Sequence, residues 1–155
     1  MRFAPDSNIL VYAVDTATPA KHAIARRIVE LGYLANAFLV TQTIGEFLSV
    51  FARKYPAQLA QAKTTAKLWI ELFALADYTG DDAIAAAEYA ARYRLQYWDS
   101  LILVVAASRG AEYLLSEDMQ DGLAIGGLTI VNPFNPANAA LIDALLTPMD
   151  VVERP

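Results

Sequence analysis

Three acidic residues stand in surroundings where a carboxylate is out of place. Asp6 follows Phe3-Ala4-Pro5 and precedes Ile9-Leu10-Val11, Glu46 lies between Ile44 and Phe47-Leu48, and Asp99 sits between Trp98 and Leu101-Ile102-Leu103. With Asp118 they share a second property: each falls at or just beyond the carboxyl end of a predicted strand, or in the first turns of a predicted helix. In an open α/β sheet those places meet in the crevice outside the strand ends, where ligands bind. Carboxylates near a core without a counter-charge are costly, and several together raise one another's pKa. Basic side chains are scarce around each of the four, so the missing charge is best supplied by Mg²⁺ or Mn²⁺, which take oxygen ligands in near-octahedral geometry. One or two such ions can activate a water and stabilise an in-line displacement at phosphorus. The chemistry implied is phosphodiester hydrolysis, with Asp6, Glu46, Asp99 and Asp118 as metal ligands.

The elements that must position these acids follow from patterning. Arg2 to Pro5 reads as a short opening strand, followed after Asp6 by a helical turn through Asn8 to Ala13. Thr18-Pro19 opens a helix that ends at Gly32. Ala37 to Val40 is a buried strand, and Ile44, Phe47, Leu48 and Phe51 recur at helical spacing up to Lys54-Tyr55, before Pro56. Pro56 opens another helix, to about Leu75, and Ala76 to Thr79 reads as a short edge strand. Gly80-Asp81-Asp82 caps an alanine-rich helix to Arg94. The next runs from near Trp98 to Arg109 and closes on Gly110 as its C′ residue. Glu112 to Ser116 and Leu128 to Val131 are the last strands. This alternation predicts an α/β fold, a mainly parallel sheet of about four to five short strands flanked by helices.

Composition sets the outer bounds. A chain of 155 residues that is 56% hydrophobic and 19% charged fits one compact domain,. The longest apolar stretch, Leu101 to Ser108, falls well short of the ~18 residues a bilayer crossing requires, so no membrane association is expected. The first residues show no signal-peptide pattern; we therefore expect a cytoplasmic protein. There is no cysteine, which excludes disulfides and thiolate metal sites,. The net charge of −5 is unusual for a nucleic-acid binder,, although two divalent ions would cancel most of it. Arg26 with Arg27, Arg53 with Lys54, and Arg92 with Arg94 are paired basics that could contact phosphate, but exposed helix faces need such residues anyway. His22, the only histidine, reads as a surface residue, and the Tyr89, Tyr93, Tyr97 series as a packed helical face rather than a base-stacking platform.

Four segments, Phe3-Ala4-Pro5-Asp6-Ser7-Asn8-Ile9-Leu10, Gln42-Thr43-Ile44-Gly45-Glu46-Phe47, Tyr97-Trp98-Asp99-Ser100-Leu101-Ile102 and Leu115-Ser116-Glu117-Asp118-Met119-Gln120-Asp121-Gly122, resemble the acidic motifs of PIN-domain proteins in order and spacing. The resemblance spans about residues 2–134 and is strongest to the VapC-type toxins of bacterial toxin–antitoxin pairs. Beyond it, Leu141, Ile142, Leu145 and Leu146 suggest a C-terminal extension, residues 135–155, packing on the domain or a partner; the resemblance itself implies a three-layer α/β/α fold over residues 1–134. It also implies an endoribonuclease acting on RNA, a homodimer, and a small antitoxin partner. Asp6, Glu46 and Asp99 match the family's most regular acids and Asp118 the more variable fourth, with Asp121 as a stand-in. Asn8 and Ser116 match supporting positions, while Ser7 departs from the usual Thr.

Two other functions fit parts of the pattern. A haloacid-dehalogenase-type phosphatase would also carry an Asp after its first strand, but Asn8 stands where that family resembles Asp-x-Asp. A non-catalytic PIN-fold module binding RNA or protein is the other.

Overall fold

The computed structural model describes residues 1–148. In chain order its elements are β1 (Phe3–Pro5), α1 (Ser7–Val14), α2 (Pro19–Gly32), β2 (Phe38–Val40), α3 (Thr41–Lys54), α4 (Leu59–Leu72), β3 (Ala74–Ala76), α5 (Gly80–Tyr93), α6 (Tyr97–Ser108), β4 (Tyr113–Leu115), β5 (Ala124–Ile125), β6 (Leu128–Val131) and α7 (Ala139–Leu145). The sheet runs β1-β4-β6-β5, parallel except for β5, and β2 pairs in parallel with β3. An isolated parallel bridge between Phe3 and Ala37 joins the two sets into one layer.

Strand side chains alternate between the two faces, as a period of two requires. Ala4, Leu114 and Ile130 pack with α5 and α6, whereas their neighbours Phe3, Leu115 and Val131 pack with α1, α2 and α7. Leu39 of β2 turns the same way as the latter set, into an aromatic cluster with α3 and α4 where Phe47 lies 4.9 Å from both Phe51 and Trp69. The result is the expected α/β/α sandwich. In α6, Ser100 to Ala106 are all buried, which explains a helix apolar all round: it is enclosed by the sheet and α5.

Three local expectations need correction. The cap of α5 is Thr79, not Gly80-Asp81-Asp82: its hydroxyl accepts from the Asp82 N–H and Asp82 accepts in return from the Thr79 N–H, a capping box,. The strand expected at Ala76–Thr79 lies at Ala74–Ala76, because pairing with Phe38–Val40 fixes its register. The strand β5, absent from the sequence reading, folds back on β6 through Gly126-Gly127, with φ of 59° and 85°. Glycine takes the positive φ that both positions of so tight a turn require at low cost. Gly110, with φ of 79°, does follow the last turn of α6.

Within the C-terminal extension, Ile142, Leu145 and Leu146 are buried against Phe3, Ile9 and Ala25, and Arg27 pairs with Asp143. Residues 149–155 of that extension lie outside the described residues. No helix among the described residues is long and apolar enough to cross a membrane.

Candidate metal centre

The parallel arrangement of β1, β2 and β4 brings the carboxyl ends of the three strands to one edge of the sheet. Asp6 follows β1, and its N–H donates to the Leu115 carbonyl at 2.8 Å, which sets it beside the end of β4. Ser116 leaves β4 with its N–H bonded to Val131, and Asp118 follows two residues later. Glu46 lies in the second turn of α3, which starts directly after β2, and Asp99 in the first turn of α6.

Asp6 is only 2% exposed. One carboxylate oxygen accepts from the Ser7 N–H at 2.6 Å; the other accepts from the Ser116 hydroxyl at 2.8 Å and the Asn8 amide at 3.2 Å. Burial pushes its carboxyl up to about 7, against the hydrogen bonds from Ser116 and Ser7, and the charges of Asp99 and Glu46 push the same way. The Asp99 carboxyl, half-buried, is raised first by desolvation and then by Glu46 and Asp118. These mutual effects place all four acids within one electrostatic field. Asn8 ties the group together, donating from Nδ2 towards Asp6, Ser116 and Asp118 (3.1 Å to Asp118) and accepting from the Glu117 N–H. The Ser116 oxygen also accepts from the Asp118 N–H.

Asp121 stands apart from this network. It accepts from the Asn132 N–H and from the side-chain amides of Asn135 and Asn138, and those bonds, the Asn132 N–H foremost, hold its carboxyl below the usual range. In this arrangement it braces the turn leading to α7.

Gln42 is a member of the site that the sequence reading does not include. It donates to Glu46 at 2.6 Å and to the Trp98 carbonyl at 3.1 Å, joining α3 to the start of α6. Its position four residues before Glu46 is the signal that could have revealed it, since i and i+4 side chains meet on a helix. Of the paired basics, Arg26 and Arg27 bond to Glu30 and Asp143, and Arg92 lies over Tyr93. Lys54 instead lines a cleft with Ser7, Asn8 and Asp118. His22 is half-buried rather than free at the surface, its Nδ1 2.9 Å from the Tyr12 carbonyl. Tyr89 and Tyr93 pack edge to face on the core, as the spacing predicts, whereas Tyr97 opens α6 and packs on the same core from a different helix.

Among the described residues none of the four acids is in an ion pair, and no three acidic or histidine side chains are already closed around a single ion position. The donor set nevertheless suits a hard divalent cation: oxygen atoms only, little compensating positive charge, and one carboxyl raised by its burial,.

The chain matches the family model of the PIN domain over residues 4–120. No curated protein sequence matches it. Among solved structures, a toxin–antitoxin complex from Klebsiella pneumoniae shares 23% identity, covering 84% of this chain and 96% of that one, with a TM-score of 0.61. Mycobacterium tuberculosis VapC20, described as a Sarcin-Ricin loop cleaving toxin, shares 15% over 75% and 89% of the two chains, with a TM-score of 0.63. VapBC2 from Rickettsia felis, bound to a promoter DNA fragment, shares 14% over 84% and 97%, with a TM-score of 0.60. At these identities the likeness is one of fold.

Proposed function

Because the chain belongs to the PIN-domain family, we propose that it is a divalent-metal-dependent endoribonuclease, the toxin of a toxin–antitoxin pair, working through Asp6, Glu46, Asp99 and Asp118. The observation that carries this reading is the setting of Asp6: a carboxyl only 2% exposed, held by Ser7, Asn8 and Ser116, with no basic partner among the described residues. Ionised, that carboxyl weakens the fold unless a cation joins it, a setting that suits a binding site for Mg²⁺ or Mn²⁺.

The four carboxylates would hold the metal, which when bound supplies a water acidic enough to attack phosphorus and neutralises charge on the phosphate. The rest of the work belongs to this chain's own side chains. Ser116 and Asn8 hold one oxygen of Asp6, and the Ser7 N–H holds the other, so the carboxylate cannot rotate. Gln42 aims Glu46 in the same way. Lys54, lining the cleft beside Asn8 and Asp118, is placed to meet a phosphate. Asn8 cannot exchange a proton at neutral pH, which argues against the phosphatase reading.

The toxin assignment is supported by the fold shared with toxins and toxin–antitoxin complexes. With it go a small antitoxin partner, a homodimer, a cytoplasmic location, and a nuclease domain of residues 1–134 that the C-terminal extension buttresses. The test is cleavage of a structured RNA pool in EDTA, Mg²⁺ or Mn²⁺, together with calorimetric titration of Mn²⁺ into the wild type and Asp99→Asn. Metal-dependent cutting lost in Asp99→Asn, with weakened Mn²⁺ binding, is the expected result. RNA binding without cutting or Mn²⁺ uptake would point to the non-catalytic module and defeat the proposal.

A further inference from the structure

Glu46 and Gln42, which the proposed chemistry uses, also line a groove whose other walls have no part in that chemistry. It has a volume of about 530 Å³ and is lined by Gln42, Glu46, Ser49, Asp77, Tyr78 and Trp98, among others. Trp98 is 59% exposed and Tyr78 53%, although rings of this size usually dominate cores and interfaces. The indole belongs to the residue before Asp99 and is braced edge-on by Tyr97, with centroids 5.0 Å apart. Its backbone carbonyl is tied to α3 by Gln42.

Charge decides what such a groove accepts. Its walls carry Glu46 and Asp77 but no lysine or arginine, which disfavours a phosphate. The cleft lined by Asn8, Glu117 and Asp118 sets one lysine, Lys54, beside its two acids and is the less unfavourable place for a phosphate. An RNA strand crossing the carboxylates would therefore set its backbone on the Lys54 side and a base on the other. A nucleobase offers a flat apolar face for Trp98 and Tyr78, and stacking of this kind tolerates any base.

The geometry points to this groove as the seat of an unpaired nucleobase next to the scissile phosphate, with Trp98 as its stacking platform; the inference rests on the nuclease reading above.

The experiment uses the full chain with a short single-stranded oligoribonucleotide and the same strand carrying abasic positions. Tryptophan emission is read by stopped flow before cleavage, in Mn²⁺, and steady-state cleavage is measured separately. Trp69 is only 5% exposed, so iodide-accessible emission reports Trp98, and Trp98→Phe supplies the baseline. The intact strand should quench that emission and shield it from iodide; the abasic strand should not. Trp98→Ala should raise KM roughly ten-fold with kcat within about two-fold, and Trp98→Phe should retain most of the affinity. An unchanged KM in Trp98→Ala, with iodide access indifferent to RNA, would overturn the inference. So would an indole already shielded without RNA in a dimer that Trp98→Ala converts to monomers, which would give the face to a second copy. Absence of cleavage by the wild type would defeat the nuclease reading, while the emission data would still decide whether the groove takes a base.

Discussion

Replacing Asp6 by asparagine should make the metal-free protein more stable above neutral pH, although it removes a residue at the centre of the site. The Asp6 carboxyl lies at about 7 in the folded chain, against 3.8 for an unperturbed aspartate. Each pH unit of that gap corresponds to about 1.4 kcal/mol, so the ionised carboxylate weakens the fold by about 4 kcal/mol as an upper figure. The folded chain binds this proton more tightly than the unfolded chain does. The group is therefore neutral in effect below the unfolded value; its penalty grows as pH rises towards 7 and is complete above it. Asparagine never ionises, but its Nδ2 has to face the Asn8 amide donor, which offsets roughly 1–3 kcal/mol of the gain. A net gain of about 1–3 kcal/mol at about pH 8 raises Tm by roughly 3–8 °C in a chain of this length. Thermal unfolding in EDTA, followed by circular dichroism at about pH 8 and about pH 4.5, tests the sign as well as the size. The advantage of Asp6→Asn should vanish at the lower pH, and Mn²⁺ should raise the Tm of the wild type far more than that of the variant. If Asp6→Asn were less stable than the wild type by the same margin at both pH values, burial would not be straining this carboxylate, and the argument for a missing cation would fail.

Ser116→Ala removes the strongest hydrogen bond holding Asp6 in its charged form; the acid limb of the cleavage rate should move to higher pH, read from kcat/KM against pH, while far-ultraviolet circular dichroism stays unchanged. Phe47→Ala opens a hole between Phe51 and Trp69 where the ring is fully buried, and urea unfolding should show a loss of about 3–5 kcal/mol.

Asp6, Glu46 and Asp99 are legible in the sequence because a carboxylate set among Ile, Leu, Phe and Trp contradicts the hydrophobic pattern around it, a contradiction that points to the proposed site; Asp118, among Ser, Glu, Met and Gln, is legible only from its place after a strand and from the order of the motifs,. The long helices are legible for a similar reason: α3 repeats its apolar residues often enough to fix a period of 3.6, and α6 is apolar on every side because it is enclosed. Strands of two or three residues carry too few positions to show a period of two, so the strand at Ala74–Ala76 begins ahead of its expected place and Ala124–Ile125 escapes a pattern reading altogether. The Gly126-Gly127 pair is the available signal for that hairpin, and the Thr79–Asp82 spacing is the signal for the true cap of α5.

What the sequence determined by itself was the inventory: which acids, in which order, on which kind of element, with no cysteine and no apolar stretch long enough to span a bilayer. The tertiary structure decided their partnership. Ser116 reaches Asp6 across 110 positions, Asn8 reaches Asp118 across 110, and Gln42 reaches the Trp98 backbone across 56, so none of these bonds is encoded in local spacing. It also separated Asp121 from the other acids and set Trp98 and Tyr78 on one groove. Burial and Coulomb interactions depend on distance through space, and that distance exists only once parallel strands have gathered their carboxyl ends at one edge.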